Sequence, residues 1–138
     1  MKTVNCSRPL ALAIAMTLTA MSPLQARATN AAELLAAYSA QSKAEPSAER
    51  GQAFFNRKFG RDFENCAACH GAVPVKPGKD LVSEKAIAPL APAARAGAFA
   101  DRVAVEFSFR VNCKEVVGRE CSAGEKADIL AWLISLKP

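Results

Sequence analysis

The segment Cys66-Ala67-Ala68-Cys69-His70 carries the side chains with the clearest chemistry in this chain. Two cysteines separated by two residues and followed at once by a histidine form the attachment pattern of a c-type haem. Each thiol can form a thioether with one haem vinyl group, and the histidine can then bind the iron as its proximal ligand. We therefore predict one covalently bound haem c, attached to Cys66 and Cys69 and ligated by His70.

Two other uses of this cysteine pair have to be weighed. Cys66 and Cys69 could be half of a zinc site completed by Cys113 and Cys121, or they could form a thioredoxin-like redox pair. A zinc site gives no role to the adjacent His70, and Cys113 and Cys121 are further apart than paired zinc ligands usually are. A redox pair normally follows a buried apolar strand, and no such pattern precedes Cys66. The sequence favours haem attachment.

The second axial ligand is the open question, because the usual candidates are missing. His70 is the only histidine, and all three methionines, Met1, Met16 and Met21, lie near the N-terminus. Beyond residue 28 the chain therefore cannot supply the second side chain of a His/Met or His/His haem. The remaining possibilities are a lysine, the single tyrosine, an amide or an empty position.

Asn112 stands out among the amides because it adjoins Cys113. A carboxamide oxygen is a hard, weak ligand that can hold ferric iron but should release the softer ferrous iron, which opens a site for O2, NO or CO. An asparagine is just as readily a turn or cap residue. Cys113 and Cys121 remain after haem attachment, and such a pair in an oxidising compartment most often forms a disulfide. A redox-active or free pair is the alternative.

Residues 1–28 are predicted to be a secretory signal peptide. Lys2 and Arg8 give it a positive start, the apolar run from Leu10 to Met21 is too short to span a bilayer comfortably, and Ala26-Arg27-Ala28 supplies a small-residue cleavage site. We therefore expect a periplasmic protein that is not embedded in a membrane.

Removal of this segment changes the charge balance. The full chain has 18 lysines and arginines and 13 acids, a net charge of +5. Without Lys2, Arg8 and Arg27 the balance is 15 bases against 13 acids, or +2. Two haem propionates bring the net charge close to zero, so a nucleic acid partner is disfavoured.

Helical patterns lie on both sides of the haem motif. A capping pattern at Asn30 opens an alanine-rich helix to about Ser42, and Pro46-Ser47 starts a second helix. A capping box at Ser122 opens a C-terminal helix with an apolar face. The stretch 71–92 is rich in glycine and proline, so we expect irregular structure there.

One segment fits two patterns. Alternating apolar residues from Val103 to Val111 indicate a strand, whereas apolar residues at every fourth position from Phe99 indicate a helix. A lone strand would have no partner, so we predict a helix. The fold is then all-α, with the signal peptide followed by an N-terminal helical extension at 29–46 and a haem domain at 47–138.

The order of elements resembles that of class I cytochromes c, in which an early helix, the haem motif, a loop-rich middle and a C-terminal helix follow one another. In that fold the terminal helices cross through a small residue and aromatic side chains. Gly51, Phe55 and Trp132 are similar to those contacts. The resemblance implies a class I cytochrome c-like fold around one haem, with the helix at 29–46 as an addition.

A closer resemblance, to the sphaeroides haem protein family, rests on four sequence motifs. They are Lys85-Ala86-Ile87-Ala88-Pro89-Leu90-Ala91-Pro92, Phe109-Arg110-Val111-Asn112-Cys113, Gly118-Arg119-Glu120-Cys121 and Glu125-Lys126-Ala127-Asp128. Members are small class I cytochromes c with histidine and asparagine axial ligands and a disulfide beside the asparagine. The family is implied to bind oxygen and other diatomics in the ferrous state and to accept electrons from a dihaem cytochrome c.

Carried over by position, the resemblance implies that His70 is the proximal ligand and Asn112 the distal, displaceable one. It also implies a bridge between Cys113 and Cys121. The carbonyl of Pro89 or Pro92 could accept a hydrogen bond from the free ring nitrogen of His70.

Three functions remain in competition after the sequence analysis. The leading hypothesis is a diatomic-binding, redox-active cytochrome in which Asn112 leaves on reduction. The second is a plain electron carrier with an unusual ligand such as Lys114 or Lys126. The third is a haem enzyme acting on O2, NO or peroxide, which is less favoured because no histidine is left as a distal acid–base group.

Overall fold

The computed structural model describes residues 30–138, so the predicted signal peptide lies outside the described residues. The described chain forms five helices and two short strands: α1 (Ala31–Ser42), α2 (Ala48–Asn56), α3 (Ala67–His70), β1 (Gly78–Lys79), β2 (Ala86–Ile87), α4 (Arg102–Val116) and α5 (Ala123–Ser135). The predicted all-α fold class is confirmed.

Helices α1, α2, α4 and α5 begin at an N-cap side chain that accepts a backbone hydrogen bond from the first turn. The carboxamide of Asn30 accepts from the amide of Glu33 at 2.9 Å and so caps α1. Ser47 caps α2, and Ser122 forms the predicted capping box of α5. All three helix starts expected from the sequence are confirmed.

The ambiguous segment is helical, as predicted. The carboxylate of Asp101 accepts a hydrogen bond from the amide of Ala104 at 3.1 Å and begins α4 at Arg102. The helix runs to Val116 and thus includes Asn112 in its last turns.

Helix α5 is the centre of the core, and both α1 and α2 pack against it. Leu34 and Tyr38 of α1 meet Ala127 and Leu130 of α5 in one apolar cluster. Burial of such side chains is the main favourable contribution to folding, about 25 cal/mol for each Å² of apolar surface removed from water. Helix α1, expected only as an extension, therefore shares the core of the haem domain.

The second cluster forms where α2 crosses α5. Phe55 and Trp132 pack with their ring centroids 5.0 Å apart. Gly51 lies so close to α5 that an added Cβ would overlap the backbone carbonyl of Asp128. The expected crossing through a small residue and two aromatics is confirmed, and the glycine is needed because any side chain would separate the two backbones.

A buried carboxylate stabilises the crossing of α2 and α5. Asp128 accepts hydrogen bonds from the backbone amide of Ser47 at 2.7 Å and from Nε of Arg50 at 2.8 Å. Both donors belong to the start of α2, so the ionised carboxylate is satisfied at the point where the chain buries it.

The region between α3 and α4 is mostly irregular, as expected, but it contains a strand pair that the sequence analysis missed. Strands β1 and β2 are antiparallel, with Gly78 opposite Ile87 and Lys79 opposite Ala86. The carboxylate of Asp80 accepts hydrogen bonds from the amides of Val82 and Ser83 and so stabilises the turn that connects β1 to β2. Two-residue strands carry no alternation that a sequence pattern could reveal.

Among residues 30–138, none of the helices has the length and apolar character needed to cross a bilayer.

Candidate haem site

The Cys-x-x-Cys-His motif lies on the single turn of α3. Asn65, directly before Cys66, accepts a hydrogen bond from the amide of Ala68 at 2.8 Å and donates one to the carbonyl of Asn56 at 3.2 Å. It therefore starts the turn and ties it to the end of α2. The amide of His70 donates to the carbonyl of Cys66 at 3.1 Å, so the first cysteine and the histidine are held one helical turn apart.

Two glycines shape the backbone around the motif. Gly71 ends α3 with a φ of 81°, a left-handed conformation that glycine adopts without steric penalty. Gly78 of β1 lies directly against the motif, because an added Cβ would overlap the carbonyl of Cys69 and come within 2.9 Å of Cα of His70. The strand pair is thus packed on the turn that carries the Cys-x-x-Cys-His motif. The sequence analysis missed Gly78, whose only signal is its place after Pro77.

Neither motif cysteine takes part in a disulfide, and both are half-buried. Burial raises the pKa of Cys66 to about 11. A reactive redox cysteine needs the opposite shift, since the thiolate is the nucleophile. The thioredoxin-like alternative is therefore disfavoured by the environment of Cys66.

His70 has the features of a metal-binding imidazole. Its Nδ1 atom is buried and has no hydrogen-bond partner among the described residues. Burial lowers the pKa of His70, so the ring is neutral, the form that binds a metal. The ring of Phe55 lies 6.1 Å away, centroid to centroid. A buried polar atom usually has a hydrogen-bond partner, so the imidazole of His70 is not committed to another protein side chain and is available to a bound group.

The expected proline partner of His70 is not seen. The carbonyl of Pro89 instead accepts a hydrogen bond from Nε of Arg95 at 3.0 Å. The carbonyl of Pro92 has no hydrogen bond to His70 in the described chain. Arg95 reaches back across six residues to Pro89, which no local sequence pattern predicts.

Asn112 projects from α4 on its exposed side. Its carboxamide makes no hydrogen bond to another residue between positions 30 and 138, and none joins it to His70. The two predicted axial ligands therefore lie on separate helices, and the side chain of Asn112 is free to contact a bound group. A helical asparagine normally hydrogen-bonds locally, so its free carboxamide is consistent with a role as ligand.

Lys126 and Lys114 are the two lysines considered as alternative sixth ligands, and their surroundings differ. Nζ of Lys126 is 2.9 Å from a carboxylate oxygen of Glu106 and is held in that ion pair. Its ammonium group is thus already occupied, so Lys126 is a poor candidate for the sixth ligand. Lys114 is exposed, but it is two positions from Asn112 and therefore faces a different side of α4.

The remaining two cysteines are joined. Cys113 and Cys121 form a disulfide with their Cα atoms 5.6 Å apart, which links α4 to the residue before the cap of α5. The predicted pairing is present, and it removes both sulfurs from the zinc alternative. Consistent with this, no group of three or more His, Cys, Asp or Glu side chains within residues 30–138 could hold a metal ion.

Loss of this disulfide should weaken the fold. In the chain-entropy account, a bridge that closes a loop of about nine residues stabilises the folded state by about 2.6 kcal/mol. The double variant Cys113→Ala/Cys121→Ala is therefore expected to lose about 2–3 kcal/mol in the free energy of unfolding. Urea denaturation of the oxidised holoprotein and of the variant measures this loss. An unchanged denaturation midpoint would contradict the expectation.

Taken together, the donor set fits a covalently attached haem c. Two cysteines that take part in no disulfide and a neutral imidazole with an unsatisfied nitrogen lie on one helical turn. An unpaired carboxamide on another helix offers an oxygen donor.

Comparison with known proteins agrees with this description. Residues 41–133 match a family model described as a domain of unknown function, DUF1924. The chain is 44% identical over 114 residues to the cytochrome c-type protein SHP of Cereibacter sphaeroides, covering 80% of this chain and 88% of that protein. It is 40% identical over 94 residues to cytochrome c'' of Methylophilus methylotrophus, covering 65% of each.

Solved structures of the same two proteins share the fold. Oxidized SHP, described as an oxygen binding cytochrome c, superposes with a TM-score of 0.74 at 42% identity, over 79% of this chain and 99% of that one. Oxidized cytochrome c'' gives a TM-score of 0.70 at 36% identity, over 78% and 95% of the two chains. The likeness therefore extends over nearly the whole length of both solved chains.

Proposed function

This chain belongs to the DUF1924 family and to the c-type cytochromes related to SHP, and we propose that His70 and Asn112 are the axial ligands of its haem iron. The protein is a cytochrome c that carries one covalently attached haem c. On this proposal Asn112 is bound in the ferric state and leaves when the iron is reduced. When bound, the haem supplies one-electron chemistry and, with its sixth position open, the binding of O2, NO or CO.

The observation that carries the proposal is the absence of a methionine or a second histidine that could bind the iron opposite His70. After Met21 the sequence contains no methionine, and His70 is its only histidine. Lys126 is held by Glu106. Asn112 is the side chain that combines an exposed, unpaired oxygen donor with a backbone fixed by a neighbouring disulfide.

The chain's residues divide the work between them. Cys66 and Cys69 attach the haem, and the buried, neutral ring of His70 supplies a permanent ligand. Phe55 is buried beside His70 and packs on the buried Trp132, so it keeps water from that side of the imidazole. Asn112 contributes a weak ligand that yields to a diatomic molecule once the iron is ferrous.

The proposal includes a location, from the predicted signal peptide, and an electron donor, from the resemblance to the sphaeroides haem protein family. Residues 1–28 direct the chain to the periplasm, where the haem is attached and the Cys113–Cys121 bridge persists. The bridged cysteines are buried, so the disulfide is structural. The proposed redox partner is a dihaem cytochrome c, and ligand binding is coupled to the electron that it delivers.

Absorption spectra test the proposal directly. The ferric holoprotein is expected to be six-coordinate at neutral pH, and the dithionite-reduced protein is expected to be high-spin and to bind CO within the mixing time of a stopped-flow experiment. The physical reason is the poor match between a hard carboxamide oxygen and ferrous iron. A ferrous protein that stays low-spin and does not react with CO would rule out a displaceable asparagine.

A further inference from the structure

A network of three side chains joins α1, α4 and α5 at a distance from the haem motif. The hydroxyl of Tyr38 donates a hydrogen bond to Oε1 of Glu106 at 2.8 Å. Nζ of Lys126 donates to Oε2 of the same carboxylate at 2.9 Å. Tyr38 is the only tyrosine of the chain and is 2% exposed. Each helix contributes one member, so the carboxylate on α4 is attached to both of its neighbours.

Aromatic rings enclose the network. The ammonium of Lys126 lies 5.1 Å from the ring centroid of Tyr38 and 5.5 Å from that of Phe109. The two rings meet edge to face at 6.0 Å. A partly desolvated cation over two rings gains attraction in addition to its ion pair. The network is therefore a packed unit rather than a surface ion pair.

The charge states of the network are stable. Burial alone would raise the pKa of Glu106, but the hydrogen bonds from Lys126 and Tyr38 outweigh it and lower that pKa. Burial and the hydrogen bond to Glu106 raise the pKa of Tyr38 above its ordinary value. At neutral pH the carboxylate accepts and the phenol donates, so the connection persists.

Besides this attachment, the first half of α4 contacts the core through two partly buried side chains, Val105 and Phe109. The only fully buried side chains of the helix, Cys113 and Val116, lie in the last turns. Val103 is 79% exposed and Phe107 is 56% exposed. A helix with few buried apolar contacts opens and shifts easily. Between residues 102 and 112, Glu106 supplies the only side-chain hydrogen bonds from α4 to another described helix.

The network and the disulfide together hold α4 at two points. Glu106 and Cys113 are seven residues apart, which places them on the same face about two helical turns from each other. The disulfide fixes the position of α4 at Cys113, and it constrains the orientation of the helix about that residue less strongly than two attachments would. A second attachment at Glu106 restricts the orientation of the segment between Glu106 and Cys113. Asn112 lies in this segment.

We propose that the Tyr38–Glu106–Lys126 network is a positioning device that keeps Asn112 in place to ligate ferric iron. The proposal rests on the function proposed above, in which Asn112 is the distal ligand. Helix α1 then acts on the haem from a distance, although it touches neither Asn112 nor the haem motif through any hydrogen bond within residues 30–138. Weakening the network should lower the fraction of ferric protein with Asn112 bound and leave the ferrous state unchanged.

The substitution Tyr38→Phe tests this proposal, because it removes one hydroxyl and keeps the ring. Azide has to displace Asn112 from ferric iron, so its affinity reports how firmly Asn112 is held. We expect azide to bind the ferric Tyr38→Phe holoprotein about fivefold more tightly, within the range by which remote mutations alter a coupled site. The CO association rate of the ferrous protein should not change, and the amides of residues 102–109 should exchange with deuterium faster.

A matched control separates positioning from general loss of stability. Arg50→Gln weakens the other ionic link to α5, the one between Arg50 and the buried Asp128, and does not touch α4. It should lower stability without changing the azide affinity. An equal shift of azide affinity in both variants would overturn the proposal. Glu106→Gln provides a second variant of the network and should shift azide affinity in the same direction as Tyr38→Phe.

The outcomes distinguish this inference from the function on which it rests. If Asn112→Ala changes azide affinity but neither network variant does, the network has no positioning role and the ligand assignment stands. If Asn112→Ala also leaves the azide affinity unchanged, Asn112 is not the ligand and both proposals fail.

Discussion

Replacement of Asn112 by alanine is expected to remove the sixth protein ligand of the ferric holoprotein, to change its absorption spectrum and to increase its azide affinity about 10- to 100-fold. A ligand that has to displace a bound side chain binds more weakly by the fraction of protein in which the site is open. If Asn112 is bound to the iron in about 90–99% of ferric molecules, the site is open in only about 1–10% of them, and removal of Asn112 raises the apparent azide affinity by a factor of about 10 to 100. Absorption spectra and azide titrations measure both effects.

The ferrous form should respond differently. Asn112 has already left the reduced iron on this account, so the CO association rate of the variant should stay within about a factor of two of the original. Asn112→His should have the opposite effect, because an imidazole also binds ferrous iron and would slow CO binding. Asn30→Ala is the matched control, since it removes the same carboxamide from the cap of α1, far along the chain from α4. It should cost about 1 kcal/mol of stability and leave the spectra unchanged.

The second large effect is expected at Gly51, where α2 and α5 are in backbone contact. An alanine Cβ would overlap the backbone carbonyl of Asp128 and lie 2.9 Å from the amide nitrogen of Ile129. Backbone atoms cannot swing away as a flexible side chain can, so the two helices must separate. Separation loosens the packing of Phe55 on Trp132 and the hold of Arg50 on Asp128. We expect Gly51→Ala to lower the free energy of unfolding by about 3 kcal/mol or more.

Gly124→Ala is the control for that experiment. Gly124 also lies within a helix, but an added Cβ would meet the Cβ of Ser42 at 3.7 Å and Oγ of Ser122 at 3.9 Å, both ordinary contacts. Replacement of glycine by alanine in a helix without a clash usually stabilises it, by up to about 1 kcal/mol. Urea denaturation of the two holoproteins should therefore show shifts of opposite sign. A Gly51→Ala protein as stable as the original would mean that the two helices are not in backbone contact.

The functional interpretation could be drawn from the sequence because it depends on short local motifs and on residue types that are missing from the chain. The haem motif depends on five consecutive residues, from Cys66 to His70. The absence of a methionine ligand depends only on counting residues after Met21. Helix starts such as Asn30 and Ser122 are also local, because a cap and its partner are three residues apart.

Other features could not be read from the sequence because they depend on contacts between distant segments. The packing of Gly78 against the haem motif and the short strand pair have no pattern of their own. The carbonyl of Pro89, one of the two predicted hydrogen-bond partners of His70, accepts a hydrogen bond from Nε of Arg95 instead. The ion pair of Lys126 with Glu106, which makes this lysine a poor ligand, joins residues 20 positions apart and has no local sequence signal.

The sequence by itself determined the cofactor, its attachment and the shortage of strong ligands, because bond-forming residues and missing residue types are properties of the chain alone. Only the tertiary structure decided that α1 belongs to the same core as α5 and that Tyr38 reaches Glu106, 68 positions along the chain. The physical reason is that hydrogen bonds and apolar contacts of this kind exist only after helices have packed. A residue such as Tyr38 has no role until folding brings its partner within 2.8 Å.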